Sequence, residues 1–193
     1  MKYKIGVYGS AAGDMTAASE KAKELGRVLG NYADSIIILT GATSGLPDLI
    51  ASEAAAKGVE VWGYAHTLDE ASWHKAHPDN DISIYQKIIY VPTSYPLAKN
   101  KHESQKYRNV ISTANCDAGI FVSGRWGTLN EFTNLIDFQK SAGVLTGTGG
   151  IADELPALTQ KIHKAGQGAV IFDDNPKKLV EKLLADLESK KPA

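Results

Sequence analysis

The residues best suited to chemistry lie in one stretch, Ser123-Gly124-Arg125-Trp126-Gly127-Thr128-Leu129-Asn130-Glu131. It holds two glycines, hydroxyls, a guanidinium and a carboxylate. The run before it, residues 118–122, is apolar throughout, as in a buried strand. After it, Leu129, Phe132, Leu135 and Ile136 share one face of a helix. The stretch is therefore a strand-to-helix turn. Gly124 and Gly127 leave the backbone bare where it must bend, and the unsatisfied N–H groups of the first helical turn point forward from it. Such an end attracts an anion, most often a phosphate. A second reading stays open. Thr128-x-x-Glu131 has the spacing of a capping box, in which hydroxyl and carboxylate only satisfy backbone donors.

Arg108 can join this turn. A helix starting near residue 97 or 101 and ending at Asn115 is expected to bury Tyr107, Val110, Ile111 and Ala114, with Arg108 at the edge of that side. It runs antiparallel to the next strand, residues 117–122. From Asn115 back to Arg108 the helix rises about 10 Å. The side chain, leaning toward the helix N-terminus, adds about 6 Å, matching the strand's rise of about 16 Å. The guanidinium then lies level with the turn. It stays charged at ordinary pH and so cannot transfer protons.

The remaining elements position three similar loops. Residues 5–9 read as a strand that ends in Gly9-Ser10-Ala11-Ala12-Gly13, followed by a helix with Ala18, Ala22, Leu25 and Leu29 on one stripe. Residues 35–39 form a second strand that ends in Thr40-Gly41-Ala42-Thr43-Ser44-Gly45, with Pro47 in the first turn of the next helix. Strands follow at 59–64, after Gly58 as a helix stop, and at 87–91. The helix after the Ser123 turn is expected to end near Ala142. It leads to a strand at 143–146, the loop Gly147-Thr148-Gly149-Gly150 and a helix capped by Asp153. A last strand at 169–172 meets Asn175-Pro176 as cap and first turn, with Leu179, Val180, Leu183, Leu184 and Leu187 on one helix face.

This alternation implies an α/β fold, a single doubly wound Rossmann-like domain with a mainly parallel sheet over residues 1–188, and a flexible tail at 189–193. Four loops rich in glycine and small residues then share the carboxyl edge, where ligands bind at the switch point of strand order. The candidate ligand- and phosphate-binding residues are Gly9, Ser10, Gly41, Ser44, Gly45, Gly124, Arg125, Gly127, Thr128, Gly147, Thr148 and Gly149. The first loop lacks the Gly-x-Gly-x-x-Gly fingerprint, which argues against a nicotinamide cofactor.

Composition bounds the partners. The net charge of −1, from 21 basic and 22 acidic residues, gives no footprint for nucleic acid or for a membrane surface. The expected partner is a small phosphorylated, nucleotide-like molecule, with no nucleic acid and no membrane. Met1-Lys2-Tyr3-Lys4 leads straight into a strand pattern without a signal-peptide core, so a cytoplasmic protein is expected. The single cysteine, Cys116, reads as a buried, inert thiol. Residues 65–81 read as a polar surface loop. Its His66, His74, His77, Asp79 and Asp81 match no tight ligand spacing, and no metal or other cofactor is expected.

These motifs resemble the Lonely Guy family, also called lysine-decarboxylase-like, whose members carry an Arg on the preceding helix and a Pro-Gly-Gly-x-Gly-Thr-x-x-Glu turn. Arg108 matches the helix Arg; Gly124, Gly127, Thr128 and Glu131 match the turn. Gly9-Ser10 and the 41–46 loop are similar to the family's first two loops. The resemblance implies hydrolysis of the N-glycosidic bond of a nucleoside 5′-monophosphate, with Glu131 and Arg108 as catalytic residues, and a homodimer. Ser123, Arg125 and Asn109 depart from the family's Pro, Gly and Lys. The Gly147–Gly150 loop and Trp126 look more like a sister branch of Rossmann-like nucleotide-binding proteins and molybdenum cofactor carriers, for which a non-catalytic carrier or sensor role is the alternative.

Overall fold

Short, largely apolar strand runs, each followed by a helix, give the chain its architecture. The computed structural model describes residues 2–11, 15–162, 166 and 168–190. The strands are β1 (Tyr3–Gly9), β2 (Ile36–Thr40), β3 (Glu60–Tyr64), β4 (Lys87–Ile89), β5 (Ala118–Val122), β6 (Ser141–Leu145) and β7 (Val170–Asp173). The helices are α1 (Thr16–Leu29), α2 (Leu46–Ala55), α3 (Glu70–Ala76), α4 (Lys101–Asn115), α5 (Trp126–Asp137), α6 (Ile151–Lys161) and α7 (Pro176–Ser189). All seven strands pair in parallel, in the order β4-β3-β2-β1-β5-β6-β7. This is the expected doubly wound Rossmann-like domain.

Every residue of β2, β5 and β6 is buried, as a parallel sheet covered on both faces requires. Successive side chains point to opposite faces. Ile5, Val7, Ile38 and Ile120 pack with Leu25 of α1, Ile50 of α2 and Leu179 and Leu183 of α7. Tyr8, Leu39, Phe121 and Val144 pack with Phe132 and Leu135 of α5 and Leu155 of α6. The chain winds outward from β1 to β4, then returns to pair β5 on the other side of β1, with Gly9 opposite Val122. The order reverses at this pair, and the loops leaving β1 and β5 diverge there.

Several boundaries differ from expectation. Helix α5 ends at Asp137 rather than near Ala142: Gln139 turns the chain at φ 60°, and Ala142 already lies inside β6. Gly150, not Asp153, occupies the N-cap of α6. Residues 65–81 are not merely a loop. Asp69 accepts from Ser72 N in a reciprocal cap that starts α3, and Trp73 is wholly buried with its indole N–H donating to Ala42 O at 2.8 Å. The expected tail starts too early, because α7 runs through Ser189; residues 191–193 lie outside the described ones. Phe132 and Leu135 of α5 are used inside the core, while Phe138 is exposed. Among the described residues no helix is long and apolar enough to cross a membrane.

Candidate functional site

Where β1 and β5 part, a cavity of about 310 Å³ opens at the carboxyl edge of the sheet. Its lining comes from four segments. Tyr8, Gly9, Ser10 and Ala11 leave β1; Gly41, Thr43 and Pro47 follow β2; Gln105, Lys106, Arg108 and Asn109 come from α4; Arg125, Gly127, Thr128 and Glu131 come from the turn into α5. At Gly9 a Cβ would run into the Val122 carbonyl, so only glycine lets β1 lie this close to β5.

Helix α5 begins at Trp126 with Arg125 as an extended N-cap that makes no side-chain cap bond. Thr128 is thus already in the third helical position, and the capping box expected as an alternative does not form. Leu129 N–H is bonded to Arg125 O at 2.9 Å. The N–H groups of residues 126–128 belong to the open first turn facing the cavity. Glu131, one turn further in, is only 8% exposed. Among the described residues it makes no hydrogen bond or close ion pair. Burial pushes its carboxyl up to about 7, against the opposing pull of Arg108 and Lys106. A carboxyl held there can bind or release a proton near neutrality, as acid–base work requires.

The α4 face turned to the core is polar rather than the expected Tyr107, Val110, Ile111 and Ala114. Ser104, Asn109, Ser112 and Thr113 are buried, while Val110 and Ala114 are exposed. Hydroxyls that bond back to the helix's own carbonyls make this possible: Thr113 donates to Asn109 O at 2.7 Å and Ser112 to the same oxygen at 3.1 Å. Arg108 reaches across to Gly41, donating from Nη1 to its carbonyl at 2.7 Å, and its Nε is buried without a partner. A side chain at position 41 would occupy the place of the guanidinium. The guanidinium pKa is pulled down by burial and held up by Glu131 and Tyr8.

Of the residues predicted to bind ligand, the cavity brings together Gly9, Ser10, Gly41, Arg125, Gly127 and Thr128, beside Arg108 and Glu131. Ser44, Gly45 and Gly124 are not part of its lining. Gly147, Thr148 and Gly149 also lie outside the lining. Asp153 accepts from Gly147 N at 2.6 Å and Gly149 N at 2.9 Å, so these donors are already used. Thr148 Oγ1 accepts from Ser123 N at 2.8 Å and donates to Leu145 O at 2.7 Å, while Ile151 N donates to Gly124 O at 2.9 Å. This loop braces the turn from the far side. Gln105, Lys106 and Thr43 were missed by sequence reasoning, and Asn109 was noted only as a departure from the family's Lys. The spacing of Gln105, Arg108, Asn109 and Ser112 by three and four was the available signal for a polar helix face.

Near Arg108 lies a histidine pair, His66 just after β3 and His77 at the C-cap of α3. The rings of His66 and His77 meet edge to face at 5.4 Å, and His66 Nδ1 and His77 Nε2 are buried without partners. Burial, then the charge of Arg108, lowers the pKa of His66 to about 4 and that of His77 in the same direction. Below its unfolded pKa the imidazole takes up a proton more readily in the unfolded chain, so stability falls with acidification. His66 should therefore cost the protein about 2 kcal/mol between about pH 7 and pH 5. Urea unfolding at both pH values measures this, and His66→Phe should flatten the dependence. Among the described residues no group of three or more His, Cys, Asp or Glu could hold a metal ion.

The sequence has no match among curated proteins. Solved structures are similar in fold. The X-ray structure of TM1055, a structural-genomics target, superposes with a TM-score of 0.73 at 17% identity, over 96% of this chain and 99% of that one. The molybdenum cofactor binding protein of the phototrophic bacterium Rippkaea orientalis gives 0.66 at 18% identity, over 96% and 97%. DNA processing protein A of Helicobacter pylori, described with a single-stranded DNA binding mode, gives 0.63 at 17% identity, over 95% and 81%. This last likeness corrects the expectation that nucleic acid is excluded. A balanced net charge does not decide the matter, because the same scaffold occurs in a DNA-binding protein and local groups, not the total, set what an edge can hold. The model of the SLOG cluster4 family matches residues 2–180. It bears out the Lonely Guy-like resemblance read from Arg108 and the 124–131 turn: the chain belongs to the SLOG cluster4 family.

Proposed function

We propose that the switch-point cavity binds a phosphorylated, nucleotide-like ligand and hydrolyses its N-glycosidic bond, releasing a free base and a 5-phosphosugar. The observation that carries this reading is the pairing in one cavity of an open helix N-terminus with the buried carboxyl of Glu131. The first turn of α5 offers N–H groups to the 5′-phosphate, with the exposed Arg125 beside it. Arg108 supplies positive charge deeper in. Glu131, ionised, would stabilise an oxocarbenium-like ribosyl centre or orient the attacking water, as carboxylates do in glycoside hydrolysis. The substrate range stays at the level of nucleoside 5′-monophosphates.

A specific feature favours a second reading, binding without turnover. Arg125 stands where the family resemblance calls for a glycine, and a side chain at this point narrows the backbone approach to the phosphate. The likeness to a molybdenum cofactor binding protein fits a carrier of a phosphate-bearing ligand equally well.

Incubation with a panel of nucleoside 5′-monophosphates, with free base followed by chromatography, separates the two. Hydrolysis predicts base release that rises with pH through about 7 as Glu131 ionises, and that is lost in Glu131→Ala. Saturable thermal stabilisation by the same compounds, with no base at long times, would instead establish a carrier.

A further inference from the structure

Three polar side chains on adjoining turns of α4 and α5 set the hydrogen-bonding sense of the cavity wall. Lys106 Nζ approaches Asn130 Oδ1 at 3.4 Å, and Asn109 Nδ2 donates to the same oxygen at 3.1 Å. An ammonium can only donate. The Asn130 atom facing it must be the oxygen, and the Asn109 atom facing that oxygen must be the amide nitrogen. Asn109 is thereby locked with its Oδ1 turned away from Asn130. That oxygen is buried and has no partner, in a residue 3% exposed that lines the cavity. Glu131, on the same wall, also lacks a hydrogen-bond donor among the described residues. A buried acceptor such as Asn109 Oδ1 is costly to leave unpaired. With Glu131 lining the same cavity, a ligand that brings hydroxyl donors can satisfy both acceptors.

We propose that Asn109 Oδ1 and the Glu131 carboxylate read the vicinal 2- and 3-hydroxyls of a ribosyl 5-phosphate, and that the Lys106–Asn130 contact fixes this preference by orienting Asn109. The inference rests on the phosphate site proposed above. Thr128 and Glu131 are separated by about 4.5 Å of helix rise, so donors that meet Glu131 lie about one turn from a phosphate held at the first turn of α5. The ring hydroxyls of a ribosyl phosphate stand within that reach, whereas the edge of its base lies farther out. Asn109 and Asn130 act here as specificity and positioning residues, respectively, and bond making is left to others. The consequence is discrimination between ribose and 2-deoxyribose ligands: the deoxy sugar leaves one buried acceptor unpaired, the case in which polar sites discriminate most strongly.

Small probes test this without knowledge of the base. The wild-type protein is titrated calorimetrically with ribose 5-phosphate, 2-deoxyribose 5-phosphate and inorganic phosphate. The expected result is a preference for ribose over deoxyribose on the order of 10-fold or more. It should fall toward unity in Asn109→Leu and in Asn130→Ala, with affinity for inorganic phosphate unchanged. Asn130 is only partly buried, so its variant keeps the test open if Asn109→Leu fails to fold. Equal affinity for the two sugars while inorganic phosphate still binds would overturn the inference and leave the phosphate site standing. A full ribose preference retained in Asn130→Ala would overturn the relay. If none of the three probes binds, the phosphate site itself is wrong and the inference falls with it.

Discussion

Glu131→Gln is expected to yield a protein that is more stable than the wild type above neutral pH and, on the proposed hydrolysis, inactive. The Glu131 carboxyl titrates near 4.5 when unperturbed and near 7 in the fold, with burial as the main cause. A carboxyl whose pKa rises on folding binds more protons in the native state. Its contribution is fully present below about pH 4.5 and is lost as pH rises through about 7. At pH 8 and above, the ionised side chain should therefore cost about 3 kcal/mol. Glutamine keeps the shape and removes the charge. For a chain of this size the gain corresponds to a rise in melting temperature of roughly 5–10 °C. At about pH 4.5 the two proteins should melt together. Melting curves of both proteins across this pH range decide the matter, and a variant less stable than wild type at every pH would remove the picture of a destabilising buried charge. Stability sacrificed at one position in exchange for activity is the usual mark of a functional carboxylate.

Gly45→Ala should do the reverse and damage the fold severely. Gly45 caps α2 at φ 116° and ψ −162°, a region open essentially to glycine alone and worth about 1–3 kcal/mol of strain for another residue. The added Cβ would also run into the Ser10 carbonyl and Ala11 Cα, where Leu46 N donates to Ser10 O at 2.9 Å. Backbone cannot rotate aside as a side chain can. Loss of about 3 kcal/mol or more is expected, together with displacement of Ser10 and Ala11 from the cavity wall and loss of ligand binding. Gly58→Ala is the natural comparison. Gly58 also has positive φ, 88°, but open space around its Cβ position, so strain alone should cost about 1 kcal/mol. Chemical denaturation of both variants separates strain from collision. If they prove equally mild, the close approach of the two loops contributes nothing.

Much of this architecture was legible in the sequence because strands buried on both faces and helices with one apolar stripe leave different periodicities. The stripe Ala18, Ala22, Leu25 and Leu29 is buried as expected, and Asn175 caps α7 through Lys178 N. Where the reading failed, two local rules competed. Thr128-x-x-Glu131 has the letters of a capping box, but the helix starts earlier because Arg125 takes the extended cap position. Asp153 has the right type for a cap, yet its carboxylate satisfies the Gly147 and Gly149 donors instead. On α4, apolar letters suggested the buried side, but that side packs a polar cavity wall, and the apolar residues Val110 and Ala114 face outward. Sequence spacing correctly placed Arg108 level with the turn because helix rise and strand rise are fixed quantities. It could not orient the amide of Asn109, which depends on a neighbour 21 residues away in the chain.

The seam between β1 and β5 also governs when the cavity can exist during synthesis. Val7 pairs with Ile120 and Gly9 with Val122, so the two walls of the site come from segments that are synthesised far apart in time. Residues 10–117 emerge between them, and β2, β3 and β4 can add to β1 while its other edge still waits. Closing a contact of such long sequence separation is slow compared with local helix formation. A nascent chain lacking β5 and α5 has neither the helix start nor Glu131, and nothing for a ligand to hold. Ligand capture should therefore report completed folding, and any ligand present in the cell would favour the closed seam by mass action without rescuing earlier intermediates.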